Sequence, residues 1–402
     1  MMIALMPNAA SSSLFPLLLM GIGSCSNPSG DTSTGMVKER WYQAQAGQSR
    51  ARPAFLGTSS YFGTGDGSII ARDQQSGAII WSTNISTDPI EGANLVARNG
   101  VVVTSAVYST AGLDAQTGRL LWSYQAPMDT TNVTSSAVRP GTVIDSRLDA
   151  DDESVYIPAW GASVSAVDLR SGAAKWIWKP GAFNSDTAQT GVFRSGSMSV
   201  RVSGDTVFAT AWHYLNRAGG TSEAWLIALD RSTGRELWRV RLPYLGSGVL
   251  IEAAPQVYKD LLLVHTLSGR TYAIDRSSAQ IRWEHAAPDA SLSTIAGPEL
   301  YEDVVYVDGG NRNVYALRAS DGTVIWTSPF PSATSRDMLV TQRRVIFTNG
   351  GTLFIVSRAD GSGIASVSQP HSTDPLFASS PGYFNGFIFV SVSDAAWCFA
   401  EP

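Results

Sequence analysis

Cysteine and histidine are scarce in this chain. Cys25 and Cys398 are the two cysteines, too few for a disulfide framework. The four histidines, His213, His265, His285 and His371, stand at no metal-ligand spacing. No G-x-S-x-G elbow, Walker loop or H-E-x-x-H segment occurs, so none of these signatures points to an enzyme. Dense runs of Lys or Arg are missing as well. With a net charge of −5 and a pI near 5.4, a nucleic-acid surface is excluded. Charged residues make up only 16% of the chain, which suits a fold whose turns use Gly, Ser, Thr and Asn. Apolar content of 44% is enough for a large packed β-domain.

What the chain has instead is tryptophan in register. Trp41, Trp81, Trp122, Trp176, Trp238, Trp283 and Trp326 follow one another at 40, 41, 54, 62, 45 and 43 residues. A period near 40 marks a repeat architecture. Each tryptophan after the first closes a copy of one phrase, as in Ala71-Arg-Asp73-Gln-Gln-Ser-Gly77-Ala-Ile-Ile-Trp81 and Ala228-Leu-Asp230-Arg-Ser-Thr-Gly234-Arg-Glu-Leu-Trp238. Asp and Ser/Thr bond nearby backbone groups in a tight turn, and glycine accepts its positive φ. Gly77, Gly118, Gly172, Gly234 and Gly322 hold that position. Strand-like runs precede the phrases, at Val101–Thr104, Val155–Pro158, Val207–Thr210, Leu261–His265 and Val304–Val307. The unit is a four-stranded antiparallel sheet with the indole packed between neighbours, and radial repetition of such sheets makes a β-propeller.

The phrase A-x-D-x-x-T-G-x-x-x-W resembles the tryptophan-docking repeat of PQQ-type, quinoprotein-like propellers. Within that group the chain is similar to the BamB family of propeller lipoproteins, over about residues 37–400. Some copies depart from the pattern. Gly112 replaces the first alanine of the second copy, Ala279 the glycine of the fifth, and Arg318 the aspartate of the sixth. The seventh, Ile355 to Ala365, loses both Asp and Trp, so its seam is expected to be the loosest. After Ala365 the chain has an inner-strand candidate near Phe377–Pro381 and strands at Gly386–Val392 and Ala395–Ala400. The segment Met36–Gln45, carrying Trp41, supplies the missing outer strand. The expectation is an all-β, eight-bladed propeller over 37–402, its last blade closed by the N-terminal strand. Closure removes the free sheet edge, and such a ring is expected to be monomeric.

The N-terminus reads differently. The apolar run from Leu14 to Gly23 is too short to span a bilayer and fits a signal-peptide core, though no Lys or Arg precedes it. Ile22-Gly23-Ser24-Cys25 is similar to a bacterial lipoprotein box, which implies a signal peptide over 1–25, lipidation at Cys25 and a flexible tether over 26–36. An ordinary cleaved signal peptide is the alternative. Cys398 is read as a small buried core residue.

A site is sought on the face shared by the connections into inner strands and the hairpins between middle strands. Tyr108, Trp160, Trp212, His213 and His265 fall there, and the long segment from Lys179 to Ser195 adds Phe183, Phe193 and Arg194. Arg194, Glu252, Arg336 and Asp337 are candidates for the central channel. The partner-binding set is thus Trp160, Phe193, Arg194, Trp212, His213, Glu252 and His265. Asp149, Asp151, Asp152 and Glu153 form an acidic cluster at the opposite face, in a spacing that does not match a calcium loop. The BamB resemblance implies a non-catalytic scaffold at the periplasmic face of the outer membrane. It would bind an envelope protein, the barrel-assembly protein BamA, without a cofactor. The alternatives are a PQQ-dependent dehydrogenase and a carbohydrate-binding sensor. The dehydrogenases of this group are expected to carry adjacent cysteines and a calcium set, and this sequence shows neither.

Overall fold

A computed structural model describes residues 37–47, 49–90, 94–127, 146–159, 163–180, 195–216, 221–243, 251, 253–291, 296–331, 334, 336–349, 351–368, 377 and 379–402, with backbone only at 195–198, 213–216, 221, 222 and 364. Its strands form eight four-stranded antiparallel sheets. Seven run in chain order from inner to outer strand, beginning with Ala54–Leu56, Ser59–Gly63, Ser68–Asp73 and Ile79–Asn84. The eighth joins Gly382–Phe384, Phe387–Ser391 and Ala395–Ala400 to the N-terminal strand Glu39–Ala44. The chain is therefore an eight-bladed propeller closed by pairing its two ends, with Trp41 opposite Cys398 and Ala44 opposite Ala395. One expectation shifts here: the inner strand of blade 8 is Gly382–Phe384, after Pro381 rather than before it. Phe377 makes only an isolated bridge to Val392. Proline has no N–H for a ladder, so pairing resumes beyond it.

Each repeat residue has a packing reason. The first residue of the phrase lies directly across from the tryptophan on the paired strand: Ala71 faces Trp81, Ala166 faces Trp176, Ala228 faces Trp238 and Ala316 faces Trp326. A large side chain there would meet the indole. In blade 2 even a methyl would, since a Cβ on Gly112 would lie 2.2 Å from the Trp122 ring. Blade 7 exchanges the two sizes, Ile355 facing Ala365. In blade 8 the small partner of Trp41 is Cys398. Cys398 is thus the alanine of a circularly broken repeat, and burial pushes its thiol up to about 12. Cys398→Ala is expected to change stability by less than about 1 kcal/mol, since volume is nearly kept. The thiol should react with a disulfide reagent only on unfolding; labelling of the native ring at the rate of an exposed thiol would contradict this.

Every docking tryptophan reaches into the next blade. Trp81 N–H donates to the Ala115 carbonyl at 3.0 Å, Trp122 to Leu169 at 2.9 Å and Trp176 to Arg231 at 2.8 Å. Trp238 donates to Arg276, Trp283 to Ala319, Trp326 to Arg358 and, across the closure, Trp41 to Gln74. Each acceptor immediately follows the aspartate position of the next turn. The indole also covers that turn's glycine: added Cβ atoms on Gly77, Gly118, Gly172, Gly234 and Gly322 would lie 2.5–2.6 Å from the ring of the preceding tryptophan. Their φ angles of 69–73° favour glycine independently. The aspartate closes the same turn. Asp230 accepts from Ser232 and Thr233, side chain and backbone, which holds its carboxyl down at about 2.

This geometry explains the missing tryptophan. In blade 8 the third and fourth strands, Ala395–Ala400 and Glu39–Ala44, are not consecutive in the chain, so no turn joins them and a tryptophan at 365 would find no turn glycine to cover. The seam between blades 7 and 8 is filled by Ile355, Val367, Phe377, Trp397 and Phe399, with Tyr42 and Ala365 beside them.

Candidate functional site

The inner strands begin on the upper face, and their first residues ring the axis. There they line a cavity of about 310 Å3 with Arg52, Asn94, Arg147, Arg201, Glu299 and Asp337 among its walls. Neighbouring blades are laced at this level. Leu95 N–H donates to the Arg52 carbonyl, and Val200 N–H to Arg147. The Asn94 amide both donates to and accepts from the Leu148 backbone. Asp337 accepts from Gly297 N–H at 2.7 Å, and its own N–H donates to Ser380 Oγ.

Two ion pairs cross the ring. Arg147 of blade 3 forks onto Asp337 of blade 7, Nε to Oδ2 at 3.0 Å and Nη2 to Oδ1 at 2.7 Å. Arg52 of blade 1 meets Glu299 of blade 6 at 2.6 Å and the Met338 carbonyl at 2.8 Å. A third, longer contact joins Arg201 to Asp149 at 3.7 Å. Asp337 is 7% exposed. Burial alone would push its carboxyl up, but the Arg147 and Arg52 charges hold it below the usual range. For Glu299 burial wins: with Asp337 nearby adding to the effect, its carboxyl sits above the usual value despite Arg52. Each described carboxylate of the mouth is thus matched to a guanidinium. The cluster braces the ring across its diameter, and its acids are already committed to cations.

The same face carries an enlarged blade. Blade 4 has strands of 9, 11 and 10 residues, Ser195–Ser203, Thr206–Asn216 and Thr221–Asp230, where most blades use three to six. Its outer strand Glu236–Arg241 covers the third only as far as Trp225.

The family model for outer membrane protein assembly factor BamB matches residues 31–225 and 222–379. The chain belongs to the BamB family. Among solved structures it is similar to BamB from Moraxella catarrhalis, at 16% identity and a TM-score of 0.66, covering 91% of this chain and 98% of that one. The computationally designed Ika8 protein gives 13% identity and a TM-score of 0.67, over 90% of this chain and all of the other. A europium-containing methanol dehydrogenase gives 12% and 0.68, over 91% and 93%. At such identities these likenesses show the fold alone. No curated protein matches the chain.

Two of the residues expected to meet a partner are inside the blades. Trp212 is 5% exposed, and His265 is 2% exposed with Nδ1 hydrogen-bonded to Thr271 Oγ1 at 2.9 Å. Burial pushes the His265 imidazole down to about 4. Both sit on second strands, where the ring packs most densely, so their bulk goes to the core rather than to a surface. His213 lies in the Thr206–Asn216 strand, backbone alone described. Trp160, Phe193, Arg194, Glu252 and Cys25 lie outside the described residues. Of the channel candidates, Asp337 is in the mouth, whereas Arg336 is not among its lining residues. The acidic cluster splits between the faces, Asp149 lining the mouth rather than the opposite face; Asp149 accepts from Val202 N–H, Asp151 from Tyr156 and Arg231, and Asp152 from Arg98. Sequence reasoning missed Arg52, Arg147 and Glu299. Arg52 and Arg147 each stand two residues before an inner strand and Glu299 is the first residue of one, the only signal that could have found them.

Proposed function

We propose that this chain is a non-catalytic, lipid-anchored scaffold of the outer membrane's periplasmic face, which binds an envelope protein during β-barrel assembly, with BamA as the partner. Membership of the BamB family supports the role. The observation that carries the non-catalytic reading is the mouth, where Asp337, Glu299 and Asp149 are neutralised by Arg147, Arg52 and Arg201. A donor set held this way is poorly suited to a catalytic cation or a general base. The partner surface is assigned to the upper face at blades 3 to 5, where blade 4 is extended, Trp160 falls in sequence between two strands of blade 3, and Phe193, Arg194 and Glu252 fall between blades. Cys25 is the anchor, and residues 26–36 the tether.

Affinity purification of the lipidated protein from its own envelope tests the reading. Recovery of BamA is expected, falling about tenfold or more for Trp160→Ala with Arg194→Glu, as for loss of central aromatic and Arg contacts. Unchanged recovery retires these residues; absence of any barrel-assembly protein retires the role.

A further inference from the structure

The lower face, where first strands turn into second and third into fourth, is unevenly charged. The first turn carries Asp151, Asp152 and Glu153 in blade 3, Asp205 in blade 4, Lys259 and Asp260 in blade 5, and Glu302 and Asp303 in blade 6, with Lys259 paired to Asp303. Blade 7 reverses the sign with Gln342-Arg343-Arg344. More cations gather beside it. Arg358 lies over the Tyr301 ring at 4.3 Å, Arg40 over Phe387 at 3.9 Å, and Lys38 is exposed at the edge of blade 8. Backbone contacts tie these positions together: Arg344 Nε donates to the Pro402 carbonyl at 3.1 Å, and Ala400 N–H to that of Lys38 at 2.9 Å. Glu39, Glu302, Asp360 and Glu401 are the local acids, and Glu302 pairs with Arg358 at 3.4 Å. Glu39 accepts from Trp397, Asp360 closes its own turn, and Glu401 takes the hydroxyls of Thr341 and Tyr383. Arg343 is exposed and its guanidinium has no described partner. Between blades 6 and 7 a groove of about 440 Å3 sets Arg343, Arg344 and Arg358 against an apolar wall of Val304, Ile325 and Trp326, with Ile325 46% exposed.

Guanidiniums beside aliphatic and aromatic surface match a lipid headgroup region, where phosphates lie next to acyl chains. The described chain also leaves the ring here. Its first strand starts at Glu39, on this sector of the lower face. We propose that the lower face at blades 7 and 8 docks on an anionic phospholipid surface, with the groove between blades 6 and 7 receiving headgroup phosphate. The first turns of blades 3 to 6, acidic on balance, are repelled by the same surface, which tips the ring and leaves the upper face free. This docking depends on the ring's own charges and not on a barrel-assembly role.

Vesicle co-sedimentation of the full chain carrying Cys25→Ser tests it. Phosphatidylcholine vesicles with about one-third phosphatidylglycerol are compared with phosphatidylcholine alone, so that apolar attraction of residues 1–25 cancels. The unaltered ring is expected to prefer the anionic vesicles. Lys38→Glu with Arg343→Glu, both exposed, should lower that partition about tenfold or more, each basic residue contributing on the order of 1 kcal/mol near such a surface. Asp205→Lys with Asp260→Lys, on the acidic sector, should change it less than about threefold. Overturning results are no preference for anionic vesicles, or shifts of equal size and opposite sign from the two pairs, which would report net charge alone.

Discussion

Arg147→Met is expected to lower the unfolding free energy of the ring by about 3–5 kcal/mol. The change strands Asp337, whose side chain is 9% exposed and whose carboxylate is held down by two guanidiniums. Gly297 N–H still donates to it, and Arg52 is still near, so the lower half of the range is favoured. Asp337→Leu in the same background should return most of the loss, because an apolar pair leaves no buried charge unmatched. The comparison is Lys259→Met, which breaks a longer, exposed ion pair, 3.4 Å to Asp303, with both side chains about two-thirds exposed. That loss should stay below about 1 kcal/mol. Urea midpoints at constant slope decide the matter. Equal effects from Arg147→Met and Lys259→Met would show that the cross-ring fork adds nothing beyond a surface pair.

The second large effect lies at the blade seams. Trp122→Ala should cost about 3–5 kcal/mol, since the indole is 6% exposed and its N–H bond to Leu169 is lost with it. Gly172→Ala should cost about 2–4 kcal/mol for two separable reasons. A Cβ there would lie 2.6 Å from the Trp122 ring, and φ is +69°. In the Trp122→Gly background, which also removes the Trp122 Cβ that an added methyl would meet at 2.7 Å, only the backbone part remains, so Gly172→Ala should then cost about 1–2 kcal/mol. A double-mutant cycle measures the difference. Strict additivity would mean that glycine serves the turn alone and that its contact with the indole is incidental. Blade 5 shows the backbone part can be borne, for Ala279 stands at this position with φ of 57°.

The repeat was fully legible because it is local in sequence. Asp to Gly and Gly to Trp are each four residues apart, and both jobs, closing a turn and covering it, are done by residues of fixed type. The break in the pattern at Ala365 was visible, but its reason was not. A tryptophan serves the following blade, and whether that blade offers a turn depends on where the ring is closed. For the same reason Cys398 read as an isolated core residue until Trp41 was placed opposite it. The candidate site was less legible. Trp212 and His265 had the composition of a binding surface, yet their second strands are buried at 207–212 and at Leu261–His265. Arg52, Arg147, Glu299 and Asp337 are up to 286 residues from their partners, and no period connects them.

The sequence by itself determined the blade, the number of blades and the use of the N-terminal strand to close the last one. These follow from spacing, from glycine's positive φ and from the area an indole buries. Only the tertiary structure decided which charges meet across the axis, which aromatics are core and where the basic sector of the lower face lies. Those depend on bringing distant segments around a circle, and electrostatic partnership is a matter of distance in space that a repeating pattern does not encode.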